Sequence, residues 1–114
     1  MEVIGGAGEY TAPVGGSGTH WVGQLRAADL SVGTYSIAAG GIDDQDPHTE
    51  DEIYLVTAGR ASFEAGGKRV AVGPGTVLYV PAGEVHAFTD ITQDLAAVVV
   101  FAPAEGANAA AAAN

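Results

Sequence analysis

Six of the chain's fourteen acidic residues fall within ten positions: Asp43, Asp44, Asp46, Glu50, Asp51 and Glu52. His48 lies among them, and Glu52 opens an otherwise apolar run, Ile53-Tyr54-Leu55-Val56. An acidic loop entering a strand is ordinarily just solvated. Here Asp46, His48, Glu50 and Glu52 share one parity, so an extended chain would point oxygen and nitrogen donors to one side together. A second histidine, His86, follows the turn Pro81-Ala82-Gly83 and precedes Phe88. Two neutral imidazoles and a carboxylate on a rigid β scaffold form the facial triad of non-haem Fe(II) sites, and such a set also suits Zn(II), Mn(II), Ni(II) and Cu(II). An anionic Glu52 inside a core is costly unless paired, and one divalent transition-metal ion removes that cost.

The elements that must position these residues are short β-like runs. His20–Leu25, Val32–Ala38, Glu52–Thr57, Arg60–Ala65, Lys68–Val72, Thr76–Val80, His86–Thr89 and Leu95–Ala102 carry β-branched, aromatic or aliphatic residues. Gly40-Gly41, Gly59, Gly66-Gly67, Gly73-Pro74-Gly75 and Pro81-Ala82-Gly83 separate them. Gly66-Gly67 reads as a two-residue hairpin loop, since such turns need positive φ. A helical apolar period is visible only weakly, around Arg26–Leu30. Six to eight short strands at this spacing predict an all-β jelly-roll barrel. Residues 1–19, rich in glycine, read as a flexible or partly ordered arm with one short strand near Tyr10. Residues 20–103 read as the barrel domain, and the alanine-rich 104–114 as a low-complexity tail that frays.

Composition narrows the function classes. The chain has 114 residues, enough for one core. It has no cysteine, which excludes disulfides, thiolate zinc sites and a cysteine nucleophile. Its formal net charge of −10 argues against nucleic-acid and anionic-membrane partners. The segment Met1–Gly6 lacks the basic-then-apolar pattern of a signal peptide, so a cytoplasmic location is expected.

Two spacings then coincide with known motifs. The first is Gly40, five residues, Asp46, Pro47, His48, three residues, Glu52, six residues, Gly59. The second is Gly75, five residues, Pro81, Ala82, Gly83, two residues, His86, three residues, Asp90, with fifteen residues between the two. This pair resembles the two motifs of the cupins, over roughly residues 30–103, and the run Pro47–Tyr54 resembles a subgroup of short bacterial single-domain cupins. The resemblance implies metal ligands His48, Glu52 and His86. It puts Asp46 where the family has its first histidine and Asp90 where it has an asparagine. Asp46 is a possible oxygen ligand, Gln45 a weaker candidate for the same place. Two neutral histidines, one carboxylate and a divalent ion leave +1, which favours an anionic or enolisable ligand. Coordination by Asp46 would cancel that charge.

The resemblance implies a metal-dependent enzyme acting on a small organic molecule, with dioxygenase chemistry expected ahead of isomerase, lyase or cyclase chemistry. A non-catalytic small-molecule-binding module is the alternative. Tyr54 and Asp46 are the candidate catalytic residues, as groups that could move a proton, and Glu50 is a third. Phe88 shares parity with His86 and is expected to line the same cavity. Trp21, Tyr35 and Tyr79 read as core or interface residues, and His20 as structural. The run Val98-Val99-Val100-Phe101 is apolar on both faces, which predicts a homodimer.

Overall fold

The computed structural model describes residues 1–109. Six strands form one antiparallel system: β1 (Thr19–Arg26), β2 (Ser31–Ile37), β3 (Asp51–Ala65), β4 (Lys68–Val72), β5 (Val77–Val80) and β6 (His86–Ala102). The order is β1-β2-β6-β3-β4, with β5 also on β3. Two pairs of sequence runs expected to be separate strands are continuous. The 52–57 and 60–65 runs are both in β3, and the 86–89 and 95–102 runs are both in β6.

These two long strands make the jelly roll. The first half of β3 pairs with β5 and with the end of β6, whereas its second half pairs with β4 and the start of β6. Between the halves the β3–β6 register shifts repeatedly around Ala58–Ser62. Such bulges bend a strand so that one chain segment can serve two layers. Gly59 sits at the shift with φ +85°, and a Cβ there would overlap the backbone of Asp94 and Leu95. On β6, between the residues paired with Arg60 and Ser62, Asp90 has φ +46°, a conformation that Asn and Asp tolerate best among side-chain-bearing residues. That accounts physically for Asp90 standing where the second motif has asparagine.

Strict alternation along the first half of β3 buries Glu52, Tyr54 and Val56 and turns Ile53 and Leu55 outward. The core groups Tyr54, Phe63 and Phe88 as an edge-to-face triad with ring centroids 4.8–5.6 Å apart, an arrangement favourable beyond its buried area. Ile37, Leu95, Val99 and Phe101 complete the core around it.

Both chain ends are tied down more than their composition suggests. No strand forms near Tyr10. Instead the arm satisfies its backbone on side-chain hydroxyls: Gly8 N–H donates to Thr34 Oγ1 (2.8 Å), Thr57 Oγ1 donates to Gly8 O (2.6 Å) and Thr11 N–H donates to Ser36 Oγ (3.0 Å). At the other end, fraying does not reach residues 104–108. Ala104 is buried, and Glu50 accepts the N–H groups of Gly106 (2.7 Å) and Asn108 (3.0 Å) where the chain turns helical. A carboxylate that accepts both N–H groups satisfies donors of the first turn that have no partner within it. The remaining alanine-rich tail, 110–114, lies outside the described residues.

Candidate metal centre

His48, Glu52 and His86 converge inside the barrel, each offering one ligand atom within 4.8 Å of the others. Glu52 is buried by the alternation of β3. His86 starts β6, and His48 belongs to the irregular segment before β3. The turn between β5 and β6 locks the two histidines together: Gly83 N–H donates to the His48 carbonyl (2.8 Å), and Ala82 N–H donates to Asp51 Oδ1 (2.9 Å).

The hydrogen bonds around His86 prepare it as a ligand. Nδ1–H donates to the Glu84 carbonyl (2.8 Å), which turns the Nε2 lone pair inward. Tyr54 Oη is 3.1 Å from that Nε2. Glu52 Oε1 is 3.0 Å from it, yet this buried oxygen has no hydrogen-bond partner. His48 Nε2 is 3.9 Å from Glu52 Oε2. Burial pulls the His86 pKa down, but the Glu52 carboxylate, the Glu84 carbonyl and Asp43 outweigh it and hold it above the ordinary value. Burial, then Glu52, pushes the Tyr54 hydroxyl far up, so it stays protonated.

The donor set fits a divalent ion. Two imidazoles and one carboxylate within 4.8 Å of one another are donor types that would hold a divalent transition-metal ion. An orphaned, buried carboxylate oxygen facing an imidazole lone pair is the arrangement a cation completes.

The residues flanking these three differ from the parity reading, because the ladder begins only at Asp51 and alternation does not extend back to Asp46. Asp46 is exposed and is not part of the group. Gln45 turns inward instead, with Oε1 2.9 Å from His48 Nε2 and Nε2 3.1 Å from Tyr54 Oη. Glu50 is buried, but its oxygens are taken by Gly106, Asn108 and the Thr49 hydroxyl, so it is a structural cap and not a proton carrier. Burial raises its pKa, but those hydrogen bonds and His48 outweigh burial and hold it below the usual carboxylate value.

A cavity of about 160 Å³ adjoins the group, lined by Trp21, Tyr35, Gln45, His48, Tyr54 and Phe101, among others. Phe88 is not among the lining residues; it packs beneath Tyr54 in the core. Trp21 and Tyr35 do line the cavity, while Tyr79 is exposed on the outer sheet face. Trp21 lies flat over Gly33, where any Cβ would meet its ring, and it meets Phe101 edge-on at 6.3 Å. Asp43 is the buried acid missed by the sequence reading. It accepts from Tyr35 Oη (2.7 Å), Gln45 Nε2 (3.0 Å) and Phe88 N–H (2.8 Å). A wider depression of about 600 Å³ lies beside the β3–β4 hairpin, but its Arg69 is already paired with Glu64 and Asp90. Among the described residues, no helix is long and apolar enough to cross a membrane.

Comparison with known proteins agrees with this fold. Residues 33–102 match the family model of the cupin domain. An uncharacterised protein of Streptomyces coelicolor, SCO3923, is 47% identical over 81 residues, covering 71% of this chain and 77% of its own. The KdgF structure from a Halomonas species superposes with TM-score 0.72 at 20% identity, covering 83% of this chain and 87% of that one. The DMSP lyase DddQ of Ruegeria pomeroyi superposes with TM-score 0.68 at 23% identity over 74% of this chain. That match spans only 46% of the lyase chain.

Proposed function

This chain belongs to the cupin family, and from that premise we propose that it is a metal-dependent enzyme for a small enolisable or singly anionic organic molecule. The observation that carries the reading is the buried Glu52 Oε1 without a hydrogen-bond partner, 3.0 Å from His86 Nε2, while Oε2 is 3.9 Å from His48 Nε2. His48, Glu52 and His86 would hold the ion. A divalent ion there supplies Lewis acidity towards a ligand oxygen, and redox chemistry if it is iron.

The chain's own residues do the rest. Trp21, Tyr35 and Phe101 enclose a cavity of about 160 Å³, the volume of roughly five waters, so the ligand is smaller than drug-sized. Asp43 behind the centre and Glu105 in the cavity lining disfavour a polyanion. Tyr54 Oη accepts from Gln45 Nε2 and stands 3.1 Å from His86 Nε2, so a protonated hydroxyl is held beside the group in the cavity lining. That supports proton transfer, as in a lyase or isomerase. Dioxygenase chemistry, the first expectation from sequence, draws support only from the ligand types. Ile53, Leu55, Val77 and Tyr79, exposed on the outer face of β3 and β5, support a homodimer through that face.

The test is to load chelated protein with Fe(II) or Zn(II) and offer small carboxylic and β-dicarbonyl acids. Turnover with Zn(II) that consumes no O₂ fits proton-transfer chemistry, and turnover only with Fe(II) and O₂ fits the dioxygenase. Ligand binding with no turnover under either metal contradicts the enzyme reading and leaves a binding module.

A further inference from the structure

We propose that the carboxamide oxygen of Gln45, aimed by the buried Asp43 carboxylate, is the fourth protein ligand of the metal centre. It takes the role that the family pattern gives to a histidine at the position of Asp46. This inference rests on the metal-centre reading above.

The orientation of the amide follows from its neighbours. Asp43 is 9% exposed, and its Oδ2 lies 3.0 Å from Gln45 Nε2. An ionised carboxylate only accepts, so the atom facing it is the NH₂ group. The second N–H of that group is directed at Tyr54 Oη, 3.1 Å away. With both hydrogens engaged, Oε1 is left facing His48 Nε2 at 2.9 Å. A flipped amide would set its carbonyl oxygen against the Asp43 carboxylate and lose that bond. Asp43 is itself held by the Tyr35 hydroxyl at 2.7 Å and the Phe88 N–H at 2.8 Å, so the whole support is anchored in β2 and β6.

Gln45 Oε1 is 2.9 Å from His48 Nε2, so the amide oxygen and that imidazole nitrogen would be neighbouring donors to an ion held by the group. Asp46, one residue on, is exposed. A neutral amide keeps the centre at +1 where an aspartate would cancel that charge. Gln45 therefore favours binding of an anionic or enolate ligand.

Affinity for Zn(II), measured by competition with a chromophoric chelator, tests this without any turnover assay. Gln45→Leu is expected to weaken binding by more than the roughly 10–100-fold typical of an outer-shell change, and Asp43→Asn to fall within that range. Asp46→Ala should bind as wild type does. Loaded with Co(II), Gln45→Leu should change the visible spectrum, and Asp43→Asn at saturation should keep it. If Gln45→Leu does not fold, Gln45→Asn replaces it, since the amide is then one methylene too short to reach. Wild-type affinity and spectrum in the Gln45 variant, or a larger loss in Asp46→Ala, would overturn the assignment while leaving the three-ligand centre standing. A wild-type protein that takes up no ion would overturn the centre itself, and this assignment with it.

Discussion

Replacing Glu50 separates its structural role from a chemical one. Its carboxylate is 2% exposed and takes two backbone N–H bonds, from Gly106 at 2.7 Å and Asn108 at 3.0 Å, plus the Thr49 hydroxyl. Hydrogen bonds to a charged group contribute about 1.5–3 kcal/mol each. Glu50→Gln keeps one acceptor oxygen and turns an NH₂ towards the other donor, so one such bond is lost, about 2 kcal/mol. Glu50→Ala loses both, but Gly106 and Asn108 are exposed and their N–H groups can turn to water, so about 3 kcal/mol is expected in place of the full sum. At roughly 4 °C per kcal/mol for a domain of this size, the melting temperature should fall by about 8 °C and 12 °C. Urea unfolding gives the free energies, and amide hydrogen exchange at Gly106 and Asn108 localises the loss. Because Glu105 lines the cavity from this same segment, ligand affinity should weaken in both variants. A change below about 0.5 kcal/mol, the usual range for a surface substitution, with unaltered exchange at both amides would refute the cap.

Other perturbations test the frame and the site. Gly59→Ala forces a side chain into φ +85° against the Asp94 backbone, and by urea unfolding should cost at least about 2 kcal/mol; a neutral outcome would contradict the bend between the halves of β3. Tyr54→Phe should leave metal content intact while lowering turnover by about 10²–10⁴-fold, and unchanged turnover would remove Tyr54 from proton transfer. Light scattering should give about twice the chain mass of 11.4 kDa, falling to one chain in a Leu55→Lys, Tyr79→Lys double variant. A monomeric wild type would exclude that interface.

Much of the site was legible because the two motifs fix His48, Glu52 and His86 by spacing, and spacing survives folding wherever a strand and a tight turn carry it. Glu52 follows β alternation, and His86 follows a turn whose N–H groups bind the 48–51 segment. Parity failed one turn earlier. Before Asp51 there is no ladder, so Asp46 faces solvent, Glu50 is buried against Gly106 and Asn108 and not in the group, and Gln45 turns towards His48. Asp43 could not be told from Asp44 in sequence. Its partners Tyr35 and Phe88 are distant along the chain, and only the pairing of β2 and β6 brings those strands together. The strand count differed for a related reason. A register shift at Gly59 looks like a break in sequence but is a bend in one continuous strand. The chain ends read as loose from composition alone, because their anchors, Thr34, Thr57 and Glu50, lie far from them in sequence.

The most direct measurement is the metal content and melting temperature of the purified protein, with and without a strong chelator, beside His86→Ala. An ion bound only by the folded state at a hundredfold excess over its dissociation constant adds about 2.7 kcal/mol. At about 4 °C per kcal/mol, that is a rise of roughly 10 °C. The account predicts one divalent ion per wild-type chain, a fall of about that size on chelation, and neither ion nor chelator effect in His86→Ala. Wild-type protein that holds less than about a tenth of an ion per chain after metal loading, and melts identically with chelator, would contradict it.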